Sequence, residues 1–294
     1  LLVVVLIAGA QYTQWLSQLS TEKTKTKANA LFDHEPKNFD DGLEMTLTIV
    51  GVEPSRGEMM MRAEWAGSGD VLDENGTLKI PIDINVNASS GKAEFHFKQG
   101  EMLAPTDFNV AMEGLSFNYP NDSYTSSVEV ITSSPVWAGK PGKDTPPDHF
   151  EAVELSSVGY AKASGFSVAK EAALNSEYFA KGTKEAETGV YRASFKAHRS
   201  DLVVKFAKLI MALQWLLALS ASAVTISVVI WKRKPELAML TWMTAMLFAL
   251  PPMRNIMVGA PPIGIQVDFQ GFLLCEGIVA FCVASLVATW IVRK

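Results

Sequence analysis

The sequence predicts a membrane protein of mixed class. We expect an extracytoplasmic all-β, sandwich-like domain and α-helical transmembrane segments, one N-terminal anchor and three at the C-terminal end. Two observations support this prediction. Apolar residues alternate with polar ones through the middle of the chain, as in half-buried strands. The last third contains long apolar segments, and about 20 apolar residues are enough to cross a bilayer.

The charge distribution divides the chain at the same place. From Leu202 onward there are eight Lys and Arg residues against three Asp and Glu residues, a net charge of +5. The remaining 18 basic and 28 acidic residues give a net charge of −10. Nucleic-acid binding needs a basic footprint. The acidic part therefore argues against a nucleic-acid partner.

The chain begins with an apolar run, LLVVVLIAGA. This run is shorter than a full membrane span, and we expect it to be the distal part of a longer hydrophobic segment. It has two interpretations, a retained signal anchor or the apolar core of a cleaved signal peptide. Trp15 at its end and the lack of a clear cleavage site favour an anchor over residues 1–18. The polar residues 19–42 are interpreted as a tether.

Residues 43–200 have the two-residue period of strands. Leu43, Met45 and Leu47 alternate with polar residues, and similar runs recur further along the chain. The breaks between the runs are rich in Gly, Pro, Asn and Asp, which favour turns. Many short strands at this spacing predict an antiparallel sandwich or an open barrel. Pro81 lies inside one such run and predicts an edge position, because Pro cannot donate to a β-ladder.

Residues 202–294 predict a three-helix transmembrane unit, with spans at about 205–231, 237–253 and 267–292. The first span contains no charge from residue 209 to residue 231. It also contains a run of small residues, 220–223, which suits close helix packing in a membrane.

Basic residues predict the orientation of these spans. Lys232, Arg233 and Lys234 follow the first span, and Arg293 and Lys294 follow the third. Two spans separate the clusters, so both lie on one side, which the Lys/Arg rule makes cytoplasmic. We therefore expect a multi-pass protein of the plasma (inner) membrane, with both termini cytoplasmic and the β domain outside.

Cysteines and histidines give no pattern of a catalytic or metal site. Cys275 and Cys282 are seven residues apart in one apolar segment. They are interpreted as small buried side chains rather than as a metal or redox pair. The four histidines lack ligand spacing, and no phosphate-binding or nucleophile motif is present. The sequence therefore predicts neither an enzyme nor a cofactor or metal site.

The charged residues near the last two spans are the candidate site. Glu276 lies inside the third span, where an ionisable side chain should face protein or water. Arg254, at the outer end of the second span, is the available opposite charge. Their interpretation is either a proton or ligand site or a structural pair. Asp268 is expected to be solvated or to pair with Arg254 instead.

Three short motifs in this region resemble a known family. They are Leu-Pro-Pro-Met-Arg-Asn ending at Asn255, Gly-Ala-Pro-Pro-Ile-Gly containing Pro261, Pro262 and Gly264, and Val-Asp-Phe around Asp268. They resemble an uncharacterised membrane-protein family of mycobacteria and their relatives. The resemblance implies an anchor, an external β domain and three spans. It also implies an association with mammalian-cell-entry (Mce) lipid importers as a non-catalytic subunit, with no catalytic residues to carry over.

These observations lead to one expected function and two alternatives. The expected function is an accessory or scaffold subunit of a cell-envelope complex, and the resemblance implies that this complex is an Mce-type lipid transporter. Its partners would be membrane lipids and other membrane-protein subunits in a hetero-oligomer. The first alternative is a stand-alone transporter or sensor that uses Glu276 and Arg254. The second is a membrane-anchored enzyme.

Overall fold

The computed structural model describes residues 30–34, 42–73, 75–138, 146–171 and 189–293. The chain forms two compact units. The first contains Leu1–Gly114 and Tyr124–Ala197, and the second contains Leu115–Ser123 and His198–Lys294. The predicted N-terminal anchor lies outside the described residues, as does most of the predicted tether.

Strands account for most of the described part of the first unit. In chain order they are β1 (Phe32–His34), β2 (Gly42–Glu53), β3 (Glu58–Ser68), β4 (Ile82–Ala88), β5 (Gly91–Phe97), β6 (Thr106–Gly114), β7 (Ser123–Val136), β8 (His149–Ala152), β9 (Leu155–Ala161), β10 (Phe166–Glu171) and β11 (Val190–Arg199). The first residue of β7 and the last two of β11 belong to the second unit. The β-rich domain predicted from the two-residue period is therefore confirmed.

The strands form one mixed sheet. Its order is β1-β9-β2-β3-β6-β7-β11-β10, with β4 and β8 also paired to β7, and β5 paired to β4. β2 and β9 run parallel, with Leu43 opposite Leu155, where the sequence predicts antiparallel pairs. A two-residue period shows which face of a strand is buried but does not show in which direction the neighbouring strand runs. The parallel pairing of β2 and β9 therefore cannot be predicted from the alternation of either strand.

Pro81 is not on an edge strand. β4 is hydrogen-bonded to β5 on one side and to β7 on the other, so the prediction of an edge position is wrong. Pro81 lies directly before Ile82, the first residue of β4. Its missing N–H therefore falls outside the ladder, and Pro is tolerated at the start of a strand.

One hydrophobic core fills the first unit, and it is formed by the buried residues of strands in which buried and exposed residues alternate. Met59 and Met61 of β3 are buried, whereas Met60 between them is exposed. Trp65 satisfies its indole N–H within the core by donating to Thr106 Oγ1 at 2.9 Å, as buried Trp side chains usually do. The core also takes buried side chains from β2, β4, β6, β7 and β11.

Gly189 occupies a position that no other residue fits. Its φ is +96°, a conformation that side chains with a Cβ rarely adopt. A Cβ would lie 2.7 Å from the carbonyl oxygen of Thr132 and 2.8 Å from that of Val153. The Thr132 hydroxyl of β7 shares its hydrogen bond between the carbonyls of Val153 and Gly189. This glycine, which directly precedes β11, is therefore in close contact with β7.

The second unit contains three α-helices, α1 (Asp201–Val229), α2 (Leu237–Asn255) and α3 (Leu273–Val292). A π-helical turn (Asp268–Phe272) leads directly into α3. α1 and the combined segment Asp268–Val292 are long and apolar enough to cross a membrane. These two helices support the predicted membrane character.

The buried face of α1 is a continuous stripe of mostly small or apolar side chains. Ala218 and Ala221 in its middle are fully buried, and small side chains allow close approach of helix backbones. At the end of α1, Arg293 donates hydrogen bonds to the carbonyls of Val228 and Val229, at 2.8 and 2.9 Å. This guanidinium satisfies two of the four carbonyls that an α-helix leaves free at its C-terminus.

Candidate functional site

The candidate site lies where α2 ends and the π turn begins. Pro251 and Pro252 occupy the last turns of α2, which ends at Asn255. A Pro in a helix lacks an N–H and disturbs the preceding turn, so these two residues favour an early end to the helix. Residues 256–267 then connect α2 to the π turn.

Arg254 and Asp268 form a buried ion pair across this connection. Arg254 Nε lies 2.8 Å from Asp268 Oδ1, and Arg254 Nη2 lies 3.2 Å from Oδ2. The exposed fractions of the two residues are 6% and 0%. The two parallel bonds match the fork of the guanidinium to the carboxylate. Of the two alternatives for Asp268, the structure contains the pair with Arg254.

The backbone of the connection completes the hydrogen bonding of both charges. Arg254 Nη2 donates to the carbonyl of Pro261 at 2.7 Å. Asp268 Oδ2 accepts the N–H of Gly264 at 2.8 Å and that of Ile265 at 3.2 Å. Gly264 has a φ of +123°, a conformation open mainly to glycine. Pro262, between these residues, is exposed.

This arrangement fixes the shape of the connection. Burying two charges is costly unless they are paired and their remaining hydrogen bonds are made, and here both conditions are met. Removing one partner of such a pair costs about 3–5 kcal/mol. The pair therefore locks the end of α2 to the start of the π turn.

Glu276 lies apart from this pair. It is eight residues beyond Asp268, in the first turn of α3, and is half-buried. Within the described part of the chain no hydrogen bond or ion pair joins Glu276 to another side chain. The guanidinium of Arg254 is bound to Asp268, so the structure does not bring Arg254 and Glu276 together as a pair.

A second buried ion pair lies in the same unit. Arg199 Nε, at the end of β11, is 3.1 Å from both carboxylate oxygens of Asp122. The Arg199 guanidinium carbon lies 5.2 Å from the centre of the Tyr119 ring, within the range of a cation–π contact. The Tyr119 hydroxyl donates to the carbonyl of Val258 at 3.1 Å. Burial is the main cause that raises the pKa of Tyr119 above its ordinary value.

The two ion pairs meet the same connecting segment. A Cβ at Gly259 would lie 2.6 Å from Arg199 Nη1, so the guanidinium rests against the bare backbone there. Arg199 and Tyr119 thus contact residues 258–259, and Arg254 and Asp268 contact residues 261–265. The segment 256–267 is therefore in contact with both ion pairs.

Sequence reasoning missed Tyr119, Asp122 and Arg199. Asp122 and Tyr119 lie in a stretch that has turn composition, and Arg199 ends an alternating strand. Each is ordinary in its local context, and 77 residues separate the two charged partners. A single sequence carries no signal for a pair at that distance.

Gln214 is an unusual polar residue of this unit. It is fully buried in the middle of α1, and neither its Oε1 nor its Nε2 has a hydrogen-bond partner among the described residues. It lies against the π turn, where a Cβ at Gly271 would be 3.4 Å from its Oε1. Next to it, Trp215 donates to the carbonyl of Gln270 at 3.2 Å. π-helical turns occur often at functional sites.

The described residues offer little for metal or redox chemistry. No group of three or more His, Cys, Asp or Glu side chains in the described ranges is placed to hold a metal ion. Cys275 and Cys282 are both free and buried. What the site holds instead is two desolvated Arg–Asp pairs around one segment of backbone.

Two family models match the chain. Residues 199–293 match a domain of unknown function, DUF8686, which covers the three α-helices of the second unit, here called the helical unit. Residues 33–181 match another domain of unknown function, DUF4436. No curated protein matches the chain. These findings confirm the predicted membership of an uncharacterised family, whereas the association with Mce importers and with mycobacteria stays a prediction. Because the second model spans half of the sequence, the chain belongs to the DUF4436 family, a family defined by a domain of unknown function.

Proposed function

We propose that this protein is a non-catalytic accessory subunit of a cell-envelope membrane complex. Its β domain would lie outside the cytoplasm, and its helices would pack in the membrane beside those of other subunits. An Mce-type lipid transporter is the complex that the motifs around Arg254 and Asp268 favour by resemblance.

The observation that carries the proposal is that the charged side chains of the candidate site are buried and paired with each other. Arg254, Asp268, Arg199 and Asp122 are buried and form two ion pairs. The pair of Arg254 and Asp268 is also hydrogen-bonded to backbone groups. A catalytic or transport site needs groups that face a ligand, whereas these charges are directed inward. Their arrangement suits a rigid scaffold.

The surface of the helices supports a partner within the membrane. Leu216, Leu219, Phe248 and Phe281 are large, apolar and more than half exposed. In a membrane such faces contact lipid or the helices of another subunit. Both are partners that the sequence predicts.

The proposed orientation rests on the Lys/Arg rule. Lys232, Arg233 and Lys234 are exposed in the connection between α1 and α2, and basic connections are retained in the cytoplasm. Single cysteines at Lys98 and Lys234, in a chain whose two native cysteines are changed to Ser, test this. A membrane-impermeant maleimide should label the cysteine at position 98 in intact cells, and the one at position 234 after lysis alone. The opposite pattern would refute the orientation.

The subunit role has its own test. Deleting the gene should lower the steady-state amounts of the partner subunits, because an accessory subunit stabilises its complex. The wild-type chain should restore these amounts, and Asp268→Ala should not. A tagged chain that migrates alone in mild detergent, with no change in any envelope complex on deletion, would refute the proposal.

The stand-alone transporter is the weaker alternative. It requires Glu276 and Arg254 to act together, and Arg254 is engaged by Asp268. Under this alternative, Glu276→Gln would abolish function while assembly stays intact. Under the accessory role, Glu276→Gln should leave both unchanged.

A further inference from the structure

A groove on the helical unit lies between the start of α2 and the end of α3. Leu237 and Leu240 line it from α2, and Leu286 and Trp290 line it from α3. Its lining is apolar except at Glu236. Leu237 and Trp290 are more than half exposed, so the groove is open along the side of the helices.

Positive charge lies directly beside this groove. Lys232, Arg233 and Lys234 are exposed and immediately precede Pro235, which itself lines the groove. None of the three has an ion-pair partner within the described ranges. With Glu236 included, the segment 232–236 keeps a net charge of +2.

The remaining charge at this end of the helices is also positive. Arg293 donates to the carbonyls at the end of α1 and remains exposed. The end of the unit therefore combines an apolar groove, an exposed Trp and a cluster of guanidinium and ammonium groups. Basic pockets between transmembrane helices bind the headgroups of anionic lipids, and Trp is enriched at the headgroup level.

We infer that this groove binds an anionic phospholipid. One acyl chain lies against Leu240, Leu286 and Trp290, and the phosphate of the headgroup contacts Lys232, Arg233 and Lys234. Charge complementarity selects this occupant, because an uncharged apolar partner would leave the three bases without counter-charge. The inference rests on the membrane residence contained in the proposed function.

The test uses the purified full-length chain in a neutral detergent. Thermal unfolding is followed with a thiol-reactive dye, because both cysteines of the chain are buried in α3. Phosphatidylglycerol and phosphatidylcholine with identical acyl chains are added at increasing concentrations. We expect phosphatidylglycerol to raise the unfolding temperature at lower concentration than phosphatidylcholine does.

Three variants connect this effect to the groove. The triple change Lys232→Gln, Arg233→Gln and Lys234→Gln should weaken the apparent affinity for phosphatidylglycerol by roughly a hundredfold, about 2.8 kcal/mol. Leu240→Trp fills the groove without removing charge and should weaken binding of both lipids. Lys208→Gln removes one exposed base from the other end of α1 and should change nothing.

Three results would overturn the inference. The first is equal stabilisation by both lipids, and the second is a triple variant that responds like the wild type. The third is an unfolding temperature that rises with protein concentration and not with lipid, which would assign the groove to a second copy of the chain. Because the chain is tested alone, a failure to find partner subunits would refute the accessory role without affecting this result.

Discussion

The buried pair of Arg254 and Asp268 gives the sharpest prediction. Asp268→Ala removes a carboxylate that accepts four hydrogen bonds, two from Arg254 and one each from the N–H groups of Gly264 and Ile265. The guanidinium stays buried, with its exposed fraction at 6%. It loses its counter-charge while keeping one bond to the carbonyl of Pro261.

The expected loss follows from these contacts. Breaking one partner of a buried ion pair costs about 3–5 kcal/mol, and each backbone N–H left without a partner adds to the cost if water does not reach it. For a unit of this size, 3 kcal/mol corresponds to a fall in unfolding temperature of about 10 °C or more. Arg254→Met should have a similar effect, because it leaves the carboxylate buried.

The assay can be confined to the helical unit. Cys275 and Cys282 are the chain's two cysteines and both lie in α3, so a thiol-reactive dye reports the opening of this unit alone. Glu276→Gln is the matched control, since it also removes one carboxylate from this part of the chain. It should shift stability by less than about 0.5 kcal/mol.

The double variant tests the reasoning most directly. Arg254→Met combined with Asp268→Leu removes both charges and should recover part of the loss, since paired apolar replacements of buried ion pairs are often tolerated. Recovery should be incomplete, because Pro261, Gly264 and Ile265 lose their partners. Two results would show that the pair does not hold the end of α2 to the π turn. One is an Asp268→Ala variant that unfolds at the wild-type temperature, and the other is a double variant whose loss of stability equals the sum of the two single losses.

Three further predictions concern single residues. Gln214→Met, a change of nearly equal shape, should stabilise the helical unit by about 1–3 kcal/mol in the thiol assay. The reason is that it removes a buried amide that has no hydrogen-bond partner among the described residues. A loss of stability would mean that the amide is bound to a ligand. Gly189→Ala should destabilise the β domain by about 1–3 kcal/mol or more, because the residue has a φ of +96° and a Cβ would meet two carbonyl oxygens. Unfolding of the β domain is followed by near-ultraviolet circular dichroism. Gly76→Ala is the control, because Gly76 also has a positive φ but has open space around it. Burial raises the pKa of Tyr119, so the unfolded chain loses this proton first. Its contribution to stability should be complete below about pH 10 and should fall as the pH rises further, and Tyr119→Phe should remove this part of the pH dependence.

The strands were predictable because their signal is local. In β3 the alternation of Met59, Met60 and Met61 follows directly from the pleat of a strand. The parallel pairing of β2 with β9 was not predictable, since it depends on a partner more than 100 residues away. The edge position of Pro81 was predicted wrongly because alternation along the sequence does not show where a strand begins. β4 begins at Ile82, one residue after Pro81, so Pro81 lies outside the ladder.

The candidate site was predictable where its signal is local, and not where it depends on distant parts of the chain. Arg254 and Asp268 stand out because charges are rare in apolar segments, and their separation of 14 residues keeps them within one helix–loop–helix. Glu276 stands out for the same reason, but its placement depends on how α3 is rotated, which composition does not give. Arg199 and Asp122 lie in polar surroundings along the sequence, so their burial emerges from the tertiary structure.

The helical unit is built from two pieces of chain, and this affects how it can be made. Tyr119 and Asp122 are synthesised long before their partners, because Val258 lies 139 positions after Tyr119 and Arg199 lies 77 positions after Asp122. The nine residues Leu115–Ser123 therefore have to wait until the helices emerge before they can join them. A fragment that begins at residue 198 would lack this piece, and a chain cut between residues 124 and 197 would keep it by non-covalent contacts alone.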